Sequence, residues 1–349
     1  MDNIVLEYRD PIVGVILVVF LVFLISFFTY SYGIYKERRA RKDYRKLSLR
    51  FELGKLKEDD YINLYKTYNL PFDSILLLAS TFLHKGDYNK AISVYLALLE
   101  HVKDRVKKEE LLELLGTTYL KGGFLQRSKD VFLKILKNSP RNKNVLKNLM
   151  IVCEKLKDYK KAKEITEALE ELNVDVKNDK IYFDSLLIIN DSILSYEKRT
   201  DILYEIFKEN KIIERVFTTF LLQFNKDFFY NHIDEFDCSK IIDILWYQPK
   251  NDIDFEKVEK NQFLKEIFNA KNHINNLENS SDFVLDILIL INNNKKDINA
   301  SLNFEFICSS CKKSHPFFEV RCPHCHNIFT LQVKHHICKS FFQANQSLQ

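Results

Sequence analysis

The stretch FDSILLLASTFLHKGDYNKAISVYLALLEHV, residues 72–102, decides the fold. Its apolar residues recur at helical spacing on both sides of Gly86-Asp87-Tyr88, which predicts a helix, a tight turn and a second helix. Small Ala79 and larger Phe82 stand on the first helix, and Ala91, Tyr95 and Leu98 line the second. The pattern returns in ELLELLGTTYLKGGFLQRSKDVFLKILKNSP, residues 110–140, where Gly116 stands 37 positions after Ala79. Tyr119, Gly123, Ser128, Phe132 and Ile135 then fall where Phe82, Gly86, Ala91, Tyr95 and Leu98 fell, with Pro140 as a terminal stop. A third copy, NVLKNLMIVCEKLKDYKKAKEITEALEEL at 144–172, repeats the Asp-Tyr and Ala spacing in Asp158-Tyr159 and Ala162, with Met150 34 residues after Gly116. One such unit cannot bury its apolar face alone, so the units must stack.

Working outward, the unit length and the small-then-aromatic pattern resemble the tetratricopeptide repeat. That resemblance implies an α-solenoid over residues 70–175 whose concave surface receives a peptide or protein. The repeated Tyr and Phe side chains are expected in the core, and Cys153, at a helix-packing position, is read as a small buried hydrophobe. Residues 176–300 keep helical periodicity in six further apolar runs but lose the repeat signature, so they form either divergent repeats or a helical cap. Trp246, the single Trp, is expected as a core anchor, and His232, Asp234 and Glu235 are read as a solvated loop rather than a metal site. Residues 292–297, NNNKKD, are expected to be a linker or exposed turn.

Before the repeats, Pro11 to Tyr35 reads PIVGVILVVFLVFLISFFTYSYGIY with no charge. As a helix it would be roughly 37 Å long, enough to cross a hydrocarbon core of about 30 Å. A signal peptide needs a basic leader and a shorter apolar run, whereas residues 1–10 carry a net charge of −2. Residues 36–46 carry +5, from Lys36, Arg38, Arg39, Arg41, Lys42, Arg45 and Lys46 against Glu37 and Asp43. By the positive-inside rule this flank stays cytoplasmic, with residues 1–10 outside, 11–35 spanning, and everything from the basic juxtamembrane segment and first helices, 36–69, onward inside.

At the other end, FEFICSSCKKSHPFFEVRCPHCHNIFTLQV, residues 304–333, holds Cys308-x2-Cys311 and Cys322-x2-Cys325. Two such turns can offer four thiolates to one tetrahedral metal. Alternating Phe304 and Phe306, and Phe329, Leu331 and Val333, predict short flanking strands, and residues 334–349 are read as a tail. About 30 residues bury too little to fold alone, so metal binding would supply the missing stability. In a reducing cytoplasm, paired cysteines favour a metal over disulfides. Zinc is the default ion. Iron is the alternative, because Cys322-Pro323-His324-Cys325 resembles a rubredoxin knuckle, although Lys312 and His326 stand where rubredoxins favour Gly. His315, His324, His326, His335, His336 and Cys338 crowd the same end without being needed as ligands. Arg321, Lys312, Lys313 and Lys334 make it mildly basic, which admits nucleic-acid binding as a minor alternative.

The composition of the 349 residues agrees with a mainly helical chain. Only 7 Gly and 6 Pro occur, too few for turn-rich β or Gly-rich phosphate-binding folds, and 46% hydrophobic residues exclude general disorder. Net charge is +4, of which residues 47–349 contribute only +1, so the body lacks a broad electrostatic footprint for nucleic acid. No Gly-x-Ser-x-Gly, Walker loop, His-Glu-x-x-His or Gly-x-Gly-x-x-Gly occurs, and no enzyme activity or catalytic residue is expected.

The order of anchor, repeats and C-x2-C…C-P-x-C ribbon resembles the lipopolysaccharide assembly protein B family of Gram-negative bacteria. The resemblance covers residues 10–175 and 304–333 and rests on Cys308, Cys311, Cys322 and Cys325. It implies a single-pass inner-membrane adaptor that joins the membrane protease FtsH to the lipopolysaccharide-pathway deacetylase, with the ribbon packed on the repeats. A scaffold for a secretion or motility assembly, or a rubredoxin-like electron carrier, is the alternative function. The fold expected is mainly α: an N-terminal transmembrane helix, a tetratricopeptide-type solenoid and a small C-terminal β zinc ribbon or rubredoxin-like knuckle.

Overall fold

The computed structural model describes residues 11–52, 72–274, 279–294 and 300–339. The chain divides into two compact units, Met1–Phe124 and Leu125–Gln349.

In the first unit, α1 runs over Pro11–Glu52. Its segment Leu17–Arg39 is wholly unburied, and it is the one stretch among the described residues long and apolar enough to cross a membrane. Three helices follow: α2 (Phe72–His84), α3 (Tyr88–His101) and α4 (Arg105–Lys121). Ile75 and Ala79 of α2 and Ala91, Val94, Tyr95 and Leu98 of α3 are buried, so the small residues do lie where the paired helices approach. Gly86 takes φ +79° and closes α2 through Gly86 N–H to Leu83 O (3.2 Å) and Asp87 N–H to Phe82 O (2.9 Å). This is the paired C-terminal bonding that a left-handed residue makes possible. Gly123, also at φ +79°, closes α4 in the same way, with Phe124 N–H bonding Tyr119 O at 2.8 Å. Asp104 starts α4 by accepting from the N–H groups of Val106 and Lys107.

The second unit opens with α5 (Leu125–Asn138), α6 (Lys143–Lys155), α7 (Tyr159–Glu171) and α8 (Lys177–Ile189), each packed on the next. The repeat equivalences hold in three dimensions. Ser128 and Ala162 are fully buried, as Ala91 is, and Phe132 and Thr166 take the place of Tyr95. Cys153 is fully buried on α6, as a small apolar packer should be. The third turn keeps the geometry without the glycine: Lys157 adopts φ 61°, and Asp158 N–H bonds Cys153 O at 2.9 Å.

Beyond α8 the regular pairing fades. Helices α9 (Tyr196–Glu209) and α10 (Glu214–Phe224) are followed by three short ones of 6, 5 and 4 residues: α11 (Lys226–Asn231), α12 (Ile242–Trp246) and α13 (Phe255–Val258). The longer α14 (Gln262–Ala270) and α15 (Phe283–Asn294) close the helical part. α15 takes in Asn292 to Asn294, the first half of the expected linker; Asn292 donates to Ala270 O at 2.8 Å, and residues 295–299 lie outside the described ones. Strands β1 (Ala300–Cys308), β2 (Ser314–His315) and β3 (Leu331–Lys339) make an antiparallel sheet in the order β2-β1-β3. The ribbon is thus wider than 304–333. β3 continues to Lys339, pairing Cys338 with Ser301, through residues that read as a tail because QVKHHICK lacks an apolar alternation. One apolar core joins Leu203, Phe217, Trp246 and Leu288 of the helices to Leu302, Phe304, Phe306 and Leu331 of the strands. The ribbon does not build a private core; it borrows one from α9–α15.

The repeat turns generate a prediction of opposite signs. An L-residue in the left-handed region costs about 1 kcal/mol relative to Gly. Lys157→Gly should therefore raise stability by about that amount and Gly86→Ala should lower it by a similar one. Thermal melts of the detergent-solubilised chain, followed by far-ultraviolet circular dichroism, measure both.

Candidate metal centre

Two local turns build the centre. Cys308 ends β1, and its carbonyl accepts from Lys312 N–H (2.9 Å) while its N–H donates to Lys313 O (3.0 Å). Cys322 repeats this with His326 N–H (2.9 Å) and Asn327 O (2.9 Å). Lys312 at φ 60° and His326 at φ 61° take the left-handed conformation required directly after the second cysteine. The absence of Gly at these positions therefore leaves the knuckle geometry intact and does not discriminate zinc from iron.

The turns bring all four expected cysteines together: every Sγ of Cys308, Cys311, Cys322 and Cys325 lies within 4.8 Å of the others. Cys308 and Cys325 are 3.7 Å apart and Cys311 and Cys322 3.8 Å, too far for disulfides, and all four thiols are free. A tetrahedron with metal–sulfur bonds of about 2.3 Å has edges of about 3.8 Å. The donor set therefore fits a zinc or iron ion by chemistry and by spacing. Cys308 and Cys322 are fully buried, and the other two are half-buried.

Hydrogen bonds surround the sulfurs. Cys311 N–H points at Cys308 Sγ (3.4 Å), the Thr330 hydroxyl lies 3.3 Å from the same sulfur, and His315 Nε2 lies 3.5 Å from Cys322 Sγ. Burial opposes ionisation of Cys308, but the hydrogen bonds it makes with Cys311 N–H, the Thr330 hydroxyl and Ser310 N–H outweigh it and bring the thiol down to about 6. Burial pushes Cys322 up to about 12. Without a metal Cys308 and Cys322 would not ionise together; a bound cation is what would let them do so.

Arg321, next to Cys322, is the residue whose role the sequence hid. It is 7% exposed, and it donates through Nε to Glu154 of α6 (2.6 Å), through Nη2 to Asp179 of α8 (2.7 Å) and through Nη1 to His326 O (3.0 Å). Its partners lie 167 and 142 positions away, so no local pattern announces the contact. Desolvation lifts Glu154 above the usual carboxylate range even with the guanidinium beside it, which marks how dry the junction is. Arg321 is therefore not part of a basic nucleic-acid surface; both its charge and its donors are spent inside the fold. Around it, Phe329 packs edge-on to Tyr182 of α8 (5.7 Å), and Arg215, paired with Asp243, lies 3.8 Å from the Phe318 ring.

Two of the remaining histidines have other duties. His335 Nε2 lies 3.1 Å from both carboxylate oxygens of Asp282, and His336 lies 3.3 Å from Asn303. Farther away, His232 stacks on Phe228 and bonds its carbonyl, and Glu235 accepts from Tyr204, so the 232–235 segment is occupied locally. Trp246 is buried as expected, in the core that carries the ribbon.

No protein-family model and no curated protein matches this chain. Among solved structures, a tetratricopeptide repeat protein from Parabacteroides merdae ATCC 43184 is similar at 15% identity and a TM-score of 0.38, over 73% of this chain and 98% of that one.

Two predictions follow from the ribbon's anchorage. Arg321→Met leaves two buried carboxylates unpaired and should cost about 3–5 kcal/mol, while the triple variant Arg321→Met, Glu154→Met, Asp179→Leu should recover most of it. Denaturant unfolding followed by Trp246 fluorescence reports both. Burial would raise Asp282, but His335 and the N–H groups of Leu285 and Val284 outweigh it and hold the carboxyl low. A depressed folded pKa contributes stability above the unfolded value, about 3.9, that is lost as the pH falls through the folded one. Asp282→Ala, which also uncaps α15, should cost about 1 kcal/mol at pH 7, and its difference from the parent should shrink below about pH 4.

Proposed function

We propose that this chain is a non-enzymatic, membrane-anchored adaptor whose helical repeats bind protein partners on the cytoplasmic face of a bacterial inner membrane. The observation that carries the reading is the joint anchorage of the ribbon. Its strands share the core of α9–α15, and its Arg321 is held by repeat helix α6 and by α8, the next helix but one along the chain. A metal at Cys308, Cys311, Cys322 and Cys325, zinc in the first instance, would crosslink the two turns that flank Arg321 and so brace the repeat surface. The length and composition of α1 support the anchor, and the basic run after Tyr35 supports a cytoplasmic body. Following the resemblance in element order, the partners are an FtsH-type protease and the lipopolysaccharide-pathway deacetylase, so that the adaptor regulates lipopolysaccharide synthesis.

Affinity capture from detergent-solubilised membranes tests this, with the four cysteines changed to Ser in a parallel sample. The expected result is one metal ion per parent chain and recovery of the protease and the deacetylase; the Ser variant loses metal and partners but still inserts in the membrane. Capture of secretion or motility components instead would replace the partner assignment, and full capture by the metal-free variant would refute the bracing role. Visible absorption of the purified protein separates coloured iron from colourless zinc.

A further inference from the structure

We propose that the outer edge of β3 receives an extended acidic peptide as an added strand. The proposal rests on the adaptor reading and extends it by naming a second place of contact and its chemistry.

In the order β2-β1-β3, strand β3 has a sheet neighbour on one side only. Ser309 N–H bonds Thr330 O (2.8 Å), and Ile307 pairs with Gln332 and Glu305 with Lys334, so the even-numbered residues of β3 take the hydrogen-bonded positions against β1. Leu331 and Val333 accordingly turn their N–H and C=O groups to the other side. Among the described residues no backbone group takes them up. A cavity of about 510 Å³ runs beside this edge. Four successive residues, Leu331 to Lys334, line it, and since successive side chains alternate between faces, the cavity lies along the strand's edge rather than over one face.

The opposite wall begins at Lys211. Phe318 and Leu331 give the groove apolar surface. Lys211 and Lys334 are exposed, with no carboxylate within 4 Å among the described residues, whereas Arg215 and Lys240 are already paired with Asp243 and Asp237. Glu214, the acidic member of the lining, is buried, and its carboxylate accepts from Asp237 N–H. The groove thus offers free strand donors and acceptors, an apolar floor and an excess of cationic side chains, of which Lys211 also donates to the Glu235 carbonyl and Lys334 stands across from Glu305. An extended peptide alternating apolar and acidic residues answers all three in the two-residue period of a strand.

The test uses the full-length, metal-loaded chain in detergent micelles and fluorescein-labelled acetyl-Glu-Val-Glu-Val-Glu-Val-Glu-amide, read by fluorescence anisotropy. Saturable binding is expected. It should weaken at least about tenfold in the double variant Lys211→Glu, Lys334→Glu, and by a similar factor when alternate peptide nitrogens are methylated. No binding, equal binding of the Lys-Val counterpart, or indifference to both changes would overturn the proposal. Partner capture by the parent chain separates the two readings. Capture of partners by a parent chain that does not bind the peptide refutes the groove alone, while peptide binding without capture of any partner refutes the adaptor alone.

Discussion

A guanidinium taken out of water must be matched by charge and hydrogen bonds, and the placement of Arg321 is the constraint on which this arrangement depends. Taking a cation out of water costs several kcal/mol, and only carboxylates in good geometry offset it. Glu154 and Asp179 supply them from two different helices, and the knuckle's own His326 carbonyl accepts a third bond. Such a contact adds little net stability over an apolar one. It adds a single permitted docking: any other position of the ribbon strands a cation and two anions in a dry junction. The thiolate centre and the junction are coupled through one peptide bond, between Arg321 and Cys322.

The shared core makes the same point from the apolar side. A four-cysteine ribbon usually compensates for its small size with metal alone. Here Leu302, Phe304 and Phe306 reach into a core that already holds Phe217, Trp246 and Leu288. A metal at the four cysteines would therefore act beyond the ribbon, because ordering the two turns would order one wall of the α9–α15 core. That is the physical content of calling the ribbon a brace.

Much of this was legible in the sequence, for identifiable reasons. Ala79, Ala91, Ser128 and Ala162 are small because helices must approach there, and Gly86 and Gly123 are needed for φ near +79°. Such local demands leave a periodic trace. The four cysteines announced themselves because a chelating turn fixes their spacing. What stayed hidden was non-local. Arg321 looked like one more surface cation because its partners lie more than a hundred residues upstream. The far half of β3 looked like a tail because its side chains, flanked by His335, His336 and Lys339, carry no clean alternation, while its register is set by pairing with β1. Lys157 and His326 held left-handed turns without glycine, because the surrounding bonds of Asp158 and Asn327 fix the backbone whatever the side chain.

Hydrogen–deuterium exchange on the solubilised full chain, before and after removal of metal by a chelator, tests the central claim most directly. If the thiolate centre braces the repeats through Arg321, chelation will release protection in β1 and β3 and, together with it, in α6 and α8. Loss confined to residues 300–339, with α6 and α8 as protected as before, would contradict the coupling of metal to repeat surface.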